Sequence, residues 1–479
     1  MKKKTKLNLI LSSLAIMAVA GATMAGGTYA LFTSESKVNI AVNSGKVEVV
    51  ATIDDFKTYS GKDLTGDVDT DVVEETTVKG TFTNGGTAKL EEDKKTLTLD
   101  KMTPGDKVEF SIKVKNNSNV KTKYRTVIKR KDNDGLFEGL KITIGEDTTK
   151  QSFYGFTSTS KYKDLEVSSE EETIKVTLEL PSDKGNEYQD KKCTLEYSVE
   201  AIQSNAKAED PSDTVLSLYD KYDLIALSKY ASEFYNSSSS LYTYRTFKLE
   251  NDLDMSGVDF QPIRFTNWGV PLTFEGNEKT ISNLTVDVYD SAKNGDDGRF
   301  AGLFGAGHGV TVKDLTLDKA NVKGTNHVGA IIGHGYGFKI NNCTVKNSTI
   351  ISKAKLYSGK INYDDGDKAG AIAGYGDEIA CEIKDCIVSD CIVKGYRDVG
   401  GVLGCIASAG GIANSTISGN SVTDVKLISD RSHDYNNYGT DLSKGNINDI
   451  LGRHDCAYEL DSSNTATSVT KSIETSDED

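Results

Sequence analysis

The chain has 479 residues and a formal net charge of −15, with 44 Gly, 5 Pro, 7 Cys and 5 His. That length accommodates two or three domains, each large enough to bury its own core. The acidity repels phosphate backbones and excludes nucleic acid as an expected partner. An odd number of cysteines without a Cys-x-x-Cys pair favours neither a disulfide framework nor structural zinc, and no cofactor is expected.

The first residues set an expected compartment. Lys2, Lys3, Lys4 and Lys6 form a basic start, Leu7 to Ala25 is apolar or small, and Gly26-Gly-Thr-Tyr-Ala30 follows with small residues suited to cleavage. The pattern is that of an export signal over residues 1–30, cut after Ala30; the alternative is an uncleaved membrane anchor. The expected location is extracellular, at the cell surface or in a secreted matrix.

Residues 31–205 carry period-2 stretches at Lys46-Val-Glu-Val-Val, Val108-Glu-Phe-Ser-Ile-Lys-Val, Ile174-Lys-Val-Thr-Leu-Glu-Leu and Thr194-Leu-Glu-Tyr-Ser-Val. Each alternates as a strand with one buried face must, and turn signals such as Pro104-Gly105-Asp106 and Asn116-Asn117-Ser118 separate them. An antiparallel β-sandwich is predicted. A polar linker is predicted over 206–215. A short helix over 223–235 comes next, with Leu224, Leu227, Tyr230, Ala231 and Phe234 on one face and Asp223 as its cap.

From about 246 to 428 the chain repeats, within a unit assigned to 216–455. Gly305, Gly333, Gly374 and Gly404 end similar apolar stretches and are 28, 41 and 30 residues apart. Each is followed by a second strand-like piece, such as Val312-Lys-Asp-Leu-Thr-Leu or Ile340-Asn-Asn-Cys-Thr-Val. A period near thirty without a helix predicts a parallel β-helix, one repeat per coil, with the short helix covering its first end. The overall class is all-β, and the β-helix is expected to be right-handed. The polar segment 456–479 is predicted to be a disordered acidic tail.

Two family resemblances attach to these residues. Gly26-Gly-Thr-Tyr-Ala-Leu-Phe-Thr-Ser-Glu, Ala41-Val-Asn-Ser-Gly-Lys-Val-Glu-Val, Thr103-Pro-Gly-Asp, Lys115-Asn-Asn-Ser-Asn, Gly185-Asn-Glu-Tyr-Gln and Ala201-Ile-Gln, in that order, resemble the TasA/camelysin family. The resemblance implies a jelly-roll-like sandwich, processing by a SipW-type signal peptidase, and biofilm-matrix fibres built from copies of the chain or related matrix subunits. It also points to strand donation by the segment following Ala30, with Leu31, Phe32, Val38, Ile40 and Val42 as anchors; an ordinary edge strand of the same domain is the alternative. The second half resembles GLUG-repeat surface and adhesin-like proteins through Leu249-Glu-Asn-Asp-Leu-Asp-Met, Pro262-Ile, Phe274-Glu-Gly-Asn, Ile281-Ser-Asn-Leu and the repeats above. That resemblance implies architecture rather than activity.

Few residues suggest chemistry. Cys343 and Cys386 are placed in one inward slot with Leu284, Leu315 and Ser415, Cys381 in that of Val310 and Phe338, and Cys391 in that of Ala320 and Ser348; all read as small core residues. Asn283, Asp314, Asn342, Asp385 and Asn414 form a predicted ladder, one per coil, read as structural because Asn and Asp tolerate bends. Asp67, Asp69, Asp71, Glu74 and Glu75 hint at a calcium loop but lack its Gly and Glu, so an acidic solvated loop is expected. His334 and Tyr375 share one repeat position and His308 and Tyr336 another, forming a candidate stripe for polysaccharide contact. No His-Glu-x-x-His or Gly-x-Ser-x-Gly motif is present, and no catalytic or metal-binding residues are assigned. The expected function is that of a secreted structural or adhesive protein and not an enzyme. The alternative is a glycan-binding or glycan-degrading β-helix carried by a sandwich.

Overall fold

The computed structural model describes residues 34–35, 47–60, 70–74, 77–93, 95–145, 147–148, 155–167, 171–205, 214–267, 269–289, 299–353, 356–357, 360–361, 368–377, 379–407, 415–431, 446–454 and 458–475. They form two compact units, Met1–Pro211 and Ser212–Asp479. Both are built almost entirely from strands.

The first unit holds two antiparallel sheets. In one, Lys107–Asn116 lies between Val49–Tyr59 and Glu172–Glu179; in the other, Lys192–Gln203 lies between Thr122–Asn133 and Thr96–Asp100. The predicted alternation is realised: Val108, Phe110, Ile112 and Val114 point inward from one strand and meet Leu97, Leu99, Leu195 and Val199 in a common core. Each such side chain contributes about 1.5–3 kcal/mol by leaving water. The turn motifs have local jobs. The buried Asp106 carboxylate accepts from the Thr103 N–H at 2.7 Å and hydroxyl at 3.0 Å, closing Thr103-Pro-Gly-Asp. Asn116 Nδ2 donates to the carbonyls of Val120 and Leu165, and its Oδ1 accepts from Ser118 N–H, tying the next turn. Of the expected donor segment, Ser34–Glu35 pairs antiparallel with Glu200 and Ala201 of its own chain. Leu31, Phe32, Val38, Ile40 and Val42 lie outside the described residues, as do Asp67, Asp69 and Glu75.

The second unit is a parallel β-helix. Each coil runs through four strands, exemplified by Val310–Asp318, Asn321–Gly324, His327–Gly329 and Ile332–Tyr336, and pairs in register with the coils on either side. The helix spans Lys221–Lys229, and its cap is Asp220, whose carboxylate accepts from the N–H groups of Tyr222 and Asp223. Asp223 is instead buried and accepts from the Tyr219 N–H at 2.7 Å. A 3-10 turn, Ala231–Tyr235, replaces the predicted second half of the helix, and its Phe234 ring stands 4.8 Å from Phe247 in a T-shaped contact.

Register corrects three sequence expectations. Leu284 belongs to the column of Ala320, Ser348 and Cys391, while Ser415 sits over Cys381 and accepts from its N–H at 2.9 Å. The slot after Cys343 and Cys386 is filled by buried Asn420, which accepts from the Cys386 N–H and donates to the Ile383 carbonyl. Asp314, Asn342 and Asp385 do stack, all at positive φ near 50°, but Gly419 (φ 67°) continues their column and Asn283 belongs to the next corner with Asn347, Asp390 and Asp424. Asn414 lies outside the described residues. The left-handed corner explains the residue choice, since Asn and Asp adopt it at low cost. Finally, the segment expected to be a disordered tail forms a last coil: Tyr458–Leu460, Thr465–Thr467 and Thr470–Thr475 pair in parallel with the coil before it. Its composition is polar, but Thr is β-branched and suits a strand.

The glycines that marked the repeat form one column, Gly305, Gly333, Gly374, Gly404 and Gly452. A Cβ at Gly374 would lie 2.6 Å from the Gly333 carbonyl oxygen, and one at Gly404 would lie 2.6 Å from the Gly374 carbonyl oxygen. The obstacle is backbone of the neighbouring coil, which cannot turn aside. Gly374→Ala should therefore cost at least about 2 kcal/mol in urea unfolding, against about 0.5 kcal/mol or less for Gly269→Ala, whose nearest neighbour would be 3.5 Å away. Equal stability of the two variants would rule out this packing.

Candidate functional site

Within a coil the chain bends sharply between the third and fourth strands, so that outward side chains of both strands converge. The fourth strands carry an outward column of Arg264, Ala306, His334, Tyr375, Cys405 and Arg453, and a second of His308, Tyr336 and Asp377. The third strands contribute His327, Lys368 and Asp398 in register. Between these columns lies a cleft of about 470 Å³, whose lining includes Arg264, Arg299, His334, Tyr336, Lys368 and Tyr375. A second hollow of about 440 Å³, lined by Ser232, Tyr235 and Asn267, shares Arg264 and Thr266 with the first.

All four stripe residues proposed from sequence, His308, His334, Tyr336 and Tyr375, line the cleft. Their pairing by repeat position is that of the strand register. Phe300 stacks on His327 with centroids 5.0 Å apart, and Tyr375 lies 4.4 Å from the same imidazole. His308 and Tyr336 meet edge to face at 4.6 Å. Sequence reasoning missed His327, Lys368, Asn326, Arg264, Arg299 and Asp377.

The polar groups form a directed chain. Lys368 Nζ lies 3.3 Å from His327 Nε2, and His327 Nδ1 lies 2.8 Å from His334 Nδ1. An ammonium only donates, so His327 Nε2 accepts. Burial, and then Lys368, His334 and Arg299, hold the His327 pKa well below its usual value, so the ring is neutral and its single proton sits on Nδ1. That proton is donated to His334 Nδ1. Burial, then His308 and Lys368, lower the His334 pKa to about 3, so this ring is neutral too and carries its proton on Nε2. The result is a buried Nε2–H without a hydrogen-bond acceptor among the described residues; the Asp377 carboxylate, at 3.9 Å, is beyond hydrogen-bond reach and faces a neutral ring, not an ion-pair partner. Asn326 Oδ1, also buried, has no donor. Such atoms cost roughly 1–3 kcal/mol each when left unmatched.

Among the described residues, no cysteine lines the cleft. Cys343 and Cys386 are stacked and fully buried, and the hydrogen bond of the Cys343 thiol to Cys386, then burial, holds the Cys343 pKa well above its usual value. Burial pushes the Cys391 thiol up to about 11. Among the described residues, no group of three or more His, Cys, Asp or Glu side chains is placed to hold a metal ion.

Neither a known family nor a curated protein matches the chain. A crystal structure of a Bacteroides ovatus protein, provisionally described as an immunoglobulin A1 protease, is similar at a TM-score of 0.33 and 15% identity, covering 58% of this chain and 80% of that one. A likeness at that level carries no argument about activity.

The buried imidazoles couple stability to pH. The unfolded chain binds a proton at His334 below about pH 6.5, while the folded chain resists it down to about 3. The stability held by the neutral ring is complete above about pH 6.5 and declines as pH falls towards 3, by up to about 1.4 kcal/mol per unit. His334→Gln should show a shallower loss of unfolding free energy between pH 6.5 and 4 than the unmodified protein. Identical slopes would mean that His334 is not held neutral.

Proposed function

We propose that the chain is a secreted adhesive protein of a cell surface or biofilm matrix, in which the sandwich joins a fibre and the β-helix holds polysaccharide in its lateral cleft. The observation that carries this reading is the cleft itself. It combines aromatic faces at Phe300, Tyr336 and Tyr375 with two buried polar atoms, His334 Nε2 and Asn326 Oδ1, that lack partners. Sugars offer what such a wall takes, a ring face for stacking and hydroxyls for the polar atoms. The in-register coils make the wall rigid, which lowers the ordering cost of binding.

The fibre part rests on the resemblance of residues 1–205 to TasA/camelysin proteins and on the β-prone stretch after Ala30. A strand at Ser34–Glu35 that pairs with Ala201 of its own chain could make the same pairing with a neighbouring copy. A SipW-type peptidase would release that end by cutting after Ala30. Resemblance of the second half to GLUG-repeat surface proteins favours display over catalysis.

One preparation tests both parts. The chain beginning at Leu31 should co-sediment with insoluble matrix polysaccharide and scatter light as it assembles. Tyr375→Ala should reduce co-sedimentation at least tenfold without altering assembly, and a chain beginning at Asn43 should bind polysaccharide but stay unassembled. Release of new reducing ends from the polysaccharide would overturn the adhesive reading, and undiminished assembly of the shortened chain would overturn strand donation.

A further inference from the structure

We infer that the cleft selects a carboxylate-bearing saccharide, with the acid group held at the Arg299, Lys368 and His334 side and a sugar ring against Tyr375. This rests on the carbohydrate reading above and narrows it. The cleft carries a surplus of positive charge beside its aromatic faces. Arg264 and Arg299 are guanidiniums with donors only, and Lys368 is an ammonium with donors only. Lys368 directs His327, and His327 directs His334, so that His334 also presents an N–H to the cleft. The acceptors lining the cleft are Asp377, the unmatched Asn326 Oδ1, the hydroxyls of Thr266, Tyr336 and Tyr375 and a His308 ring nitrogen, and of these Asp377 alone is a carboxylate, set against three cations. A neutral sugar hydroxyl can bond these groups but leaves the surplus of positive charge uncompensated. A carboxylate accepts through two oxygens and matches guanidinium in a fork, which makes charge-assisted bonds the strongest available here.

The surrounding structure keeps this preference from being screened away. His327, His334, Lys368 and Asn326 are each more than nine-tenths buried, so a bound acid group would be desolvated on the protein side. Lys368 also lies over the Tyr375 ring, 4.9 Å from its centre, which puts charge and aromatic ring in one part of the cleft. The shared Arg264 and Thr266 continue the cleft into the second hollow, giving room for more than one sugar unit along the stacking axis.

Isothermal titration of the purified protein with tetragalacturonate, tetramannuronate, the methyl ester of each, and sodium sulfate is the test. At least one acidic tetramer should bind ten times or more tighter than its ester. Arg299→Gln, at a partly exposed position, should lower that affinity fivefold or more and weaken the ester by a smaller factor. Lys368→Met should do the same, with unchanged circular dichroism. Acid and ester bound equally would overturn the carboxylate inference and leave polysaccharide binding standing. Sulfate bound as tightly as the tetramers would show a bare anion site and overturn the saccharide part. Failure of every tetramer and ester to bind, while matrix polysaccharide still co-sediments through Tyr375, would overturn this inference alone; failure of both would overturn the carbohydrate reading with it.

Discussion

In-register stacking of coils is the constraint on which the β-helix unit depends. Parallel strands about 4.8 Å apart place each residue directly over its equivalent in the next coil. Every position is thereby converted into a column, and a column admits only residues that tolerate their own copies above and below. The left-handed corners favour Asn, Asp and Gly, as at Asp314, Asn342, Asp385 and Gly419, with Lys319 and Ser468 as exceptions in the second corner. The start of the fourth strand admits glycine alone at Gly333, Gly374 and Gly404, because the neighbouring backbone occupies the space a Cβ would need.

The same constraint creates the cleft. Once the bend folds two strands of a coil together, His327 and His334, seven residues apart, share a hydrogen bond, and Lys368 of the next coil completes the chain. A local bend thus becomes a site spanning several coils. Its cost is the burial of two imidazoles and an ammonium, offset by the bonds they make to one another. The first-coil helix and the Phe234, Phe247 and Phe265 cluster secure one end of the stack on which this arrangement relies.

Much of the architecture was legible in the sequence, because columns leave a period. The aligned glycines gave the coil, and the alternation of Val108, Phe110, Ile112 and Val114 gave the sandwich. The stripe of His308, His334, Tyr336 and Tyr375 was also legible, as paired repeat positions. The rest of the cleft was not, although a signal existed: the residues preceding Ala301-Gly, Val328-Gly, Ala369-Gly and Val399-Gly are Phe300, His327, Lys368 and Asp398, a position whose chemistry changes from coil to coil while its neighbours do not. Misplaced residues such as Ser415 and Asn283 share a cause. Each lies in a local sequence that resembles two different corners, and only the strand pairing distinguishes them. The last coil was mistaken for a tail because its Thr-rich strands carry little apolar signal.

The central claim is that stacking fixes one directed proton arrangement across Lys368, His327 and His334. Its most direct test is nitrogen NMR of the purified protein labelled with ¹⁵N-histidine at pH 7, with resonances assigned from His327→Gln and His334→Gln. The account predicts two neutral rings of opposite tautomer, His327 protonated at Nδ1 and His334 at Nε2. A proton on His334 Nδ1, or a charged ring at either position, would contradict it.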